Sequence, residues 1–229
     1  MIYLLTPTGG RPECIQFLAR YINNQTYQGD MTWVIVDDCD PATPIPDVRC
    51  QVIPVRPDWR WKPGMNTQAE SIMAGLRQID DENARILIME DDDIYLPNHV
   101  ANIVQHLETY DLVGEAAAPY YNVSTGKYRK MGTGQHCALA STGLKDEAID
   151  AFIDVLEPGS RFIDSRLWRG FHGHKIQLRT QNVVGVKGMP GREGIGVGHR
   201  KSFGKKDIRN EFQALVGSSI ASQYVEYRQ

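Results

Sequence analysis

Ile86-Leu87-Ile88-Met89-Glu90-Asp91-Asp92-Asp93 is the stretch on which the reading of this chain turns. Its four apolar residues are too few for a core helix and suit a strand buried on both faces. A buried strand cannot carry four charges onward through a core, so the carboxylates must emerge together where it ends. Oxygen donors gathered at one rim suit magnesium or manganese, ions that keep positions open for substrate phosphates. The plainer alternative is that the acids cap a helix beginning near Pro97, which accounts for Asp93 without requiring the three acids before it.

Upstream of this stretch the same pattern recurs. Ile2 to Leu5 is an apolar run ending in the loop Thr6-Pro7-Thr8-Gly9-Gly10-Arg11-Pro12, and Pro12 and Glu13 suit the first turn of a helix running to about Asn23. Thr32 to Val36 is a β-branched and aromatic run that stops at Asp37-Asp38, and Gln51 to Val55 reads as a third strand. Trp59 to Asn66 reads as a loop. The spacing of Ala69, Ile72, Met73 and Leu76 predicts a helix ending before Asp80, and Val100, Ile103, Val104 and Leu107 predict another beginning at Pro97. Strands alternating with helices in this way predict an α/β fold, a mainly parallel sheet flanked by helices, with ligands at the carboxyl ends of its strands.

Downstream the expectations are a strand near His136 to Ala140, helices over about Lys145 to Leu156 and Asp164 to Phe171, and a strand near Ile176 to Arg179. Gly185 to Gly204 carries seven glycines, which predicts a loop or a backbone cradle.

Composition bounds the answer. With 229 residues, 41% hydrophobic and 23% charged, the chain suits one globular domain with an elaborated C-terminal part, neither disordered nor fibrous. The net charge of -3 conceals an asymmetry: Asp80 to Asp93 holds seven acids against Arg85, whereas Lys175 to Arg209 holds nine bases against Glu193 and Asp207. A cation-binding segment and a phosphate-binding segment together fit a site for a metal-bound polyphosphate, although each charge run alone would also suit a solvated face. Cys14, Cys39, Cys50 and Cys137 show no CxxC spacing, which argues against a zinc knuckle or redox motif and for reduced thiols. The first apolar run is too short for a signal peptide, and no stretch approaches the roughly 20 apolar residues of a membrane span. The expectation is a cytoplasmic protein.

Val34-Ile35-Val36-Asp37-Asp38 and Ile88-Met89-Glu90-Asp91-Asp92-Asp93-Ile94-Tyr95-Leu96-Pro97 together resemble two motifs of the GT-A glycosyltransferases, closest in layout to family 2. In that family a strand ending in paired aspartates follows the first strand-loop-helix, and a later apolar strand ends in a DxD motif followed by proline; Glu90-Asp91-Asp92 is the DxD variant here. The match covers roughly the first 110 residues in good order and the remainder loosely. The resemblance implies a Rossmann-like GT-A domain, with residues 1–110 as the nucleotide-sugar-binding half and 111–229 as the acceptor and catalytic half. It implies a metal-dependent hexosyl- or pentosyltransferase that uses Mn2+ or Mg2+ and a nucleoside diphosphate sugar, a UDP-sugar first among the donors. Thr6, Pro7, Thr8 and Arg11 would line the nucleotide, Asp37 or Asp38 would accept from a uracil-type base, Asp92 would ligate the metal, and Glu90 and Asp91 would touch ribose or metal-bound water. The family's arginine after the third strand is missing from Gly64 to Glu70.

An inverting transferase needs a general base, because the acceptor hydroxyl must lose its proton as it attacks. Asp164, in Arg161-Phe162-Ile163-Asp164-Ser165-Arg166-Leu167, resembles the family's acid before a leucine-containing helix; a helix N-cap is its competing role. His199 stands where GT-A enzymes supply a late histidine to the metal, with Arg200 and Lys201 beside it for the diphosphate, though a lone histidine is more often a packed or surface residue. His172 and His174 find no role. Trp59, Trp61, Tyr120 and Tyr121 are candidates to stack on a sugar or base, with core packing the commoner use.

Two rival readings remain. A sugar nucleotidyltransferase also places a glycine-rich loop after its first strand, and Thr8-Gly9-Gly10-Arg11-Pro12 resembles that loop superficially, but without the longer signature and its lysine. A noncatalytic metal-binding domain would need only the acids. The acceptor is open between a saccharide, a protein, a small molecule and a hydroxylated base in DNA, the last suggested by the basic C-terminal third.

Overall fold

The four apolar runs of the first half become adjacent strands at the centre of the molecule. The computed structural model describes residues 1–130, 134–192 and 203–227. In chain order these form β1 (Ile2–Thr8), α1 (Pro12–Asn23), β2 (Met31–Asp37), β3 (Gln51–Val55), α2 (Gln68–Leu76), β4 (Arg85–Ile88), β5 (Ile94–Tyr95), α3 (His99–Leu107), β6 (Leu112–Glu115), β7 (Pro119–Asn122), β8 (Lys127–Lys130), β9 (Thr142–Leu144), α4 (Glu147–Val155), α5 (Ile163–Gly170), β10 (Lys175–Leu178), β11 (Val183–Lys187), β12 (Lys205–Lys206), α6 (Glu211–Val216) and α7 (Ser218–Gln223). Strands β10-β6-β9-β4-β1-β2-β3 form a seven-stranded sheet, and β12-β8-β7-β11-β5 a five-stranded one. In the larger sheet β3, β2, β1 and β4 run parallel, while β9 pairs antiparallel with both β4 and β6.

Burial explains why β1, β2 and β4 read as unbroken apolar runs. Leu4, Trp33, Ile35 and Leu87 face one core, against α1 and α3. Their neighbours Leu5, Val34, Val36, Ile86 and Ile88 face the other, against α2, α4 and α5. A sheet covered on both faces leaves no polar side to alternate with. The two layers sit close: a Cβ at Gly75 on α2 would overlap Leu5 Cδ1 and lie 2.9 Å from Val36 Cγ2. No helix among the described residues is long and apolar enough to cross a membrane.

The second half departs from expectation in two places. The strand expected at His136 to Ala140 forms instead at Thr142–Leu144, preceded by a short 3-10 turn over Leu139–Ser141. Cys137, Leu139 and Ala140 are buried, but the pairing falls where Gly143 lets the strand lie against α3, its absent Cβ replaced by Ile103 Cγ2. The start of the glycine-rich tract is also not loop: Val183–Lys187 forms β11, paired parallel with β7 and antiparallel with β5.

Register fixes the site. Thr8 lies opposite Asp37 across β1 and β2, and Leu5 lies opposite Ile88 across β1 and β4. Three strands therefore deliver their carboxyl ends to one edge. The acidic run leaves β4 there and enters β5, so it is also the chain's crossing from the large sheet to the small one.

Candidate functional site

Carrying the β1–β4 register three residues past Ile88 places Asp91 beside Thr8. The Thr8 hydroxyl donates to Asp91 Oδ2 at 2.6 Å. Arg11, just before α1, reaches the same carboxylate with Nε and a terminal nitrogen, and its other terminal nitrogen donates to Asp92 Oδ2 at 3.1 Å. From the opposite side Lys187, at the end of β11, places Nζ 3.7 Å from Asp92 Oδ2 and 3.2 Å from Asp93 Oδ1. Asp92 thus sits between two cations, one from the loop after β1 and one from the end of β11. Asp93 also accepts the Val186 backbone N–H at 2.8 Å, and α3 begins only at His99, so this acid serves β11 and not the helix after Pro97.

Four carboxylates in so small a volume strain one another electrostatically. Burial, then the charge of Asp93, pushes Glu90 up to about 8, and burial, with Asp92, pushes Asp93 up to about 7. Burial works against the charge on Lys187, yet Asp92, Asp93 and Glu90 outweigh it and hold the ammonium well above its ordinary value. Arg11 is held up in the same way by Asp91 and Asp92. Four ionised acids would outnumber the two cations, and the run meets the shortfall by holding protons on Glu90 and Asp93; a divalent ion is chemically suited to take their place through hard carboxylate oxygens. All four acids are engaged by the protein itself, Asp91 by Thr8 and Arg11, Asp92 by Arg11 and Lys187, Asp93 by β11 and Lys187, and Glu90 by Gln68.

A second acidic group lies at the end of β2. Asp37, Asp38 and Cys39 bring ligand atoms within 4.8 Å of one another, the one such trio among the described residues. Its charge is already met. Asp37 accepts the backbone N–H groups of Cys39 (2.9 Å) and Thr43 (2.6 Å) and pairs with Arg56 at 3.2 Å, an arrangement that closes the loop after β2. Asp38 is fully buried, takes the Thr67 hydroxyl at 2.6 Å and pairs with Arg192.

Asp164 lies in the first turn of α5, where its Oδ1 accepts the Ser165 N–H at 2.7 Å. The N-cap position belongs to Phe162. With Glu115, Ala116, Ala118, Tyr120, His136 and Ala138, Asp164 lines a pocket of about 50 Å3. Burial raises the Asp164 pKa, opposed by the Ser165 N–H and by the charge of His136. The pocket adjoins the acids: the charge of Asp164 is felt at Glu90 and Tyr120, and Lys187 Nζ lies 5.6 Å from the Tyr120 ring centroid.

Of the residues expected from sequence, Thr8, Arg11, Glu90, Asp91, Asp92 and Asp38 converge on this edge, and Glu90 accepts the Gln68 amide at 2.5 Å. Pro7 is half-buried beside them. Thr6 is fully buried and accepts the Trp33 indole N–H at 2.9 Å, so its hydroxyl is spent on the core. Tyr121 stacks on Phe212 in the core, whereas Trp61 lies against the Arg192 guanidinium and Tyr120 lines the pocket. His199, Arg200 and Lys201 lie outside the described residues. Sequence reading missed Lys187, Arg192, Thr67, Gln68 and His136. Lys187 carried a usable signal: Val183 to Lys187 is an apolar strand ending in a cation, the mirror image of the strand ending in acids.

Neither a protein-family model nor a curated protein sequence matches the chain. Solved structures do. The chain has the GT-A-like α/β fold of glycosyltransferases, a mostly parallel sheet flanked by helices. It is similar to TarS from S. aureus, with a TM-score of 0.55 and 11% identity over 82% of this chain and 37% of that one. Against residues 1–349 of TarS the TM-score is 0.58, again at 11% identity, over 81% and 60%. Against the mannosyltransferase PcManGT from Pyrobaculum calidifontis, in complex with GDP-Man and Mn2+, the TM-score is 0.58 at 17% identity over 83% and 57%. The chain therefore spans about a third to three-fifths of the length of these neighbours.

Proposed function

We propose that the chain is a metal-dependent glycosyltransferase that moves a sugar from a nucleoside diphosphate sugar to an acceptor hydroxyl, with inversion. The observation that carries this reading is Asp92 held between Arg11 and Lys187 at the carboxyl edge of the sheet, next to a pocket that contains a second carboxylate, Asp164. The mannosyltransferase neighbour, which holds GDP-Man and Mn2+, supports it.

Asp92 would hold the ion, Mn2+ or Mg2+, with His199 as the expected second ligand; when bound, the ion supplies Lewis acidity toward the departing diphosphate. Arg11 and Lys187 hold fixed positive charge where the leaving group becomes more negative, and such preorganised charge lowers a barrier because it need not reorient during reaction. Asp164 takes the proton of the acceptor hydroxyl. Its raised pKa suits the task, since a base close to working pH accepts a proton more readily. Tyr120, between Lys187 and the pocket, positions the sugar. The exposed Arg129, Lys130, Lys205 and Lys206 on the paired strands β8 and β12 favour an anionic acceptor, such as a hydroxylated base in DNA, over a neutral saccharide.

Thermal shift across nucleotide sugars, with and without Mn2+, tests the reading, because a ligand that binds only the folded state stabilises it. One donor should shift the protein only with metal, and Asp92→Ala should abolish both that shift and turnover. If no nucleotide sugar shifts the wild-type protein, the transferase reading is wrong.

A further inference from the structure

The tract following β11 sends one side chain back into the site. Arg192 lays its guanidinium in a slot whose back wall is the carboxylate of Asp38, whose floor is the backbone at Gly9, and whose lid is the ring of Trp61. One terminal nitrogen donates to Asp38 Oδ2 at 3.0 Å and to Thr67 Oγ1 at 3.2 Å, while the other pairs with Asp38 Oδ1. The guanidinium carbon lies 4.6 Å from the Trp61 centroid. A Cβ at residue 9 would overlap the guanidinium, so glycine keeps the slot open. Arg192 Nε is buried with no partner, which makes the fit incomplete for an arginine.

This slot has an aromatic ring on one side and ends in a carboxylate that receives two N–H donors from one planar group. Among the common nucleobases only guanine offers that edge: N1–H and the N2 amino group are themselves part of a guanidine. Uracil offers one N–H between two carbonyl oxygens, which would face the second carboxylate oxygen with repulsion. Adenine and cytosine set an amino donor beside a ring-nitrogen acceptor, which cannot pair with a carboxylate. Asp37 cannot do this work, since the loop after β2 and Arg56 occupy it.

We propose that Arg192 is a resident stand-in for guanine, and that the donor is a guanosine diphosphate sugar whose base displaces Arg192 from Asp38 and stacks on Trp61. This rests on the transferase reading above and replaces the uracil expected from the family resemblance. Bidentate pairing to a charged acceptor is stronger than a single neutral hydrogen bond, so GDP binds the whole chain at least about tenfold more tightly than UDP, CDP or ADP.

The test is calorimetric titration of the four nucleoside diphosphates and xanthosine diphosphate, with Mn2+, into wild type, Asp38→Asn and Arg192→Ala. In Asp38→Asn the side-chain amide presents a donor beside its acceptor oxygen, so affinity moves from GDP to the bases that set a carbonyl beside an N–H, xanthosine diphosphate first and UDP with it. Because that is a gain of binding, misfolding cannot imitate it. Arg192→Ala removes the internal competitor and strengthens GDP binding. A preference for UDP, or equal binding of all four, overturns the guanine assignment while leaving the transferase reading intact. Binding of none overturns both. GDP preference with no switch in Asp38→Asn, or weaker GDP binding in Arg192→Ala, overturns the slot.

Discussion

Replacing Arg11 by methionine keeps most of the side chain's apolar stem but removes one of the two cations that face Glu90, Asp91, Asp92 and Asp93. Asp91 has no exposed side-chain surface and Arg11 only 15%, so solvent screens the pair weakly. Breaking a buried ion pair by removing one partner costs about 3–5 kcal/mol, because the other charge stays buried. Thr8 remains as a donor to Asp91, which favours the lower end of that range. For a chain of this size each kcal/mol corresponds to roughly 2–4 °C, so the melting temperature should fall by about 6–20 °C in metal-free buffer. Mn2+ should then matter more to the variant than to wild type. The carboxylates it leaves unpaired gain affinity for a cation, and at a hundredfold excess over the dissociation constant a ligand returns about 2.7 kcal/mol. Urea unfolding of both proteins with EDTA and with Mn2+ gives the four free energies. Arg11→Lys, which keeps the charge but loses the fork, should fall between them. A loss below about 1 kcal/mol, or an equal response of both proteins to Mn2+, would refute the charge deficit assigned to the run.

Asp164→Asn should lower kcat by roughly a hundredfold or more, the usual contribution of a general base, with donor binding by calorimetry unchanged; retained turnover excludes Asp164 as the base. Burial holds His99 down to about 4, opposed by the charge of Glu115, and the Tyr95 ring packs against it. The unfolded chain takes up this proton near 6.5 and the folded one only near 4, so stability is full above 6.5 and falls by about 3 kcal/mol as pH drops to 4. Urea midpoints of His99→Gln should lack that part of the acid slope, and an unchanged slope removes His99 as its source. Replacing Lys205 and Lys206 by serine should weaken transfer to hydroxymethylated DNA and flatten its salt dependence without changing GDP binding, whereas unchanged transfer with a saccharide acceptor would show that the basic edge is not the acceptor's seat.

The first half of the chain was legible because each strand there is buried on both faces and announces itself as an apolar run with a polar stop. The hairpin β7–β8 gave no such signal. Pro119-Tyr120-Tyr121-Asn122 and Lys127-Tyr128-Arg129-Lys130 are four-residue strands without a β-branched aliphatic run, held by pairing with each other and with β11 and β12. The acids of the site could be read in sequence, but their counter-charges could not. Lys187 lies 94 residues from Asp93 and Arg192 lies 154 from Asp38, and nothing local to either cation indicates its partner. Helix capping misled for a similar reason: Asp93 stands before a helix in sequence, yet a strand from the other sheet claims its carboxylate.

Strand β11 ends at Lys187 beside the acids, and five residues later the same chain reaches Arg192 in the slot under Trp61. Five residues extend to at most about 17 Å, so residues 188–191 act as a short tether that keeps Arg192 within reach of the slot once a base has displaced it. Inserting one residue there would leave Asp38, Trp61 and Lys187 where they are and loosen only the hold of Arg192 on the slot, so it should strengthen the binding of guanosine and of GDP while leaving that of inorganic pyrophosphate unchanged.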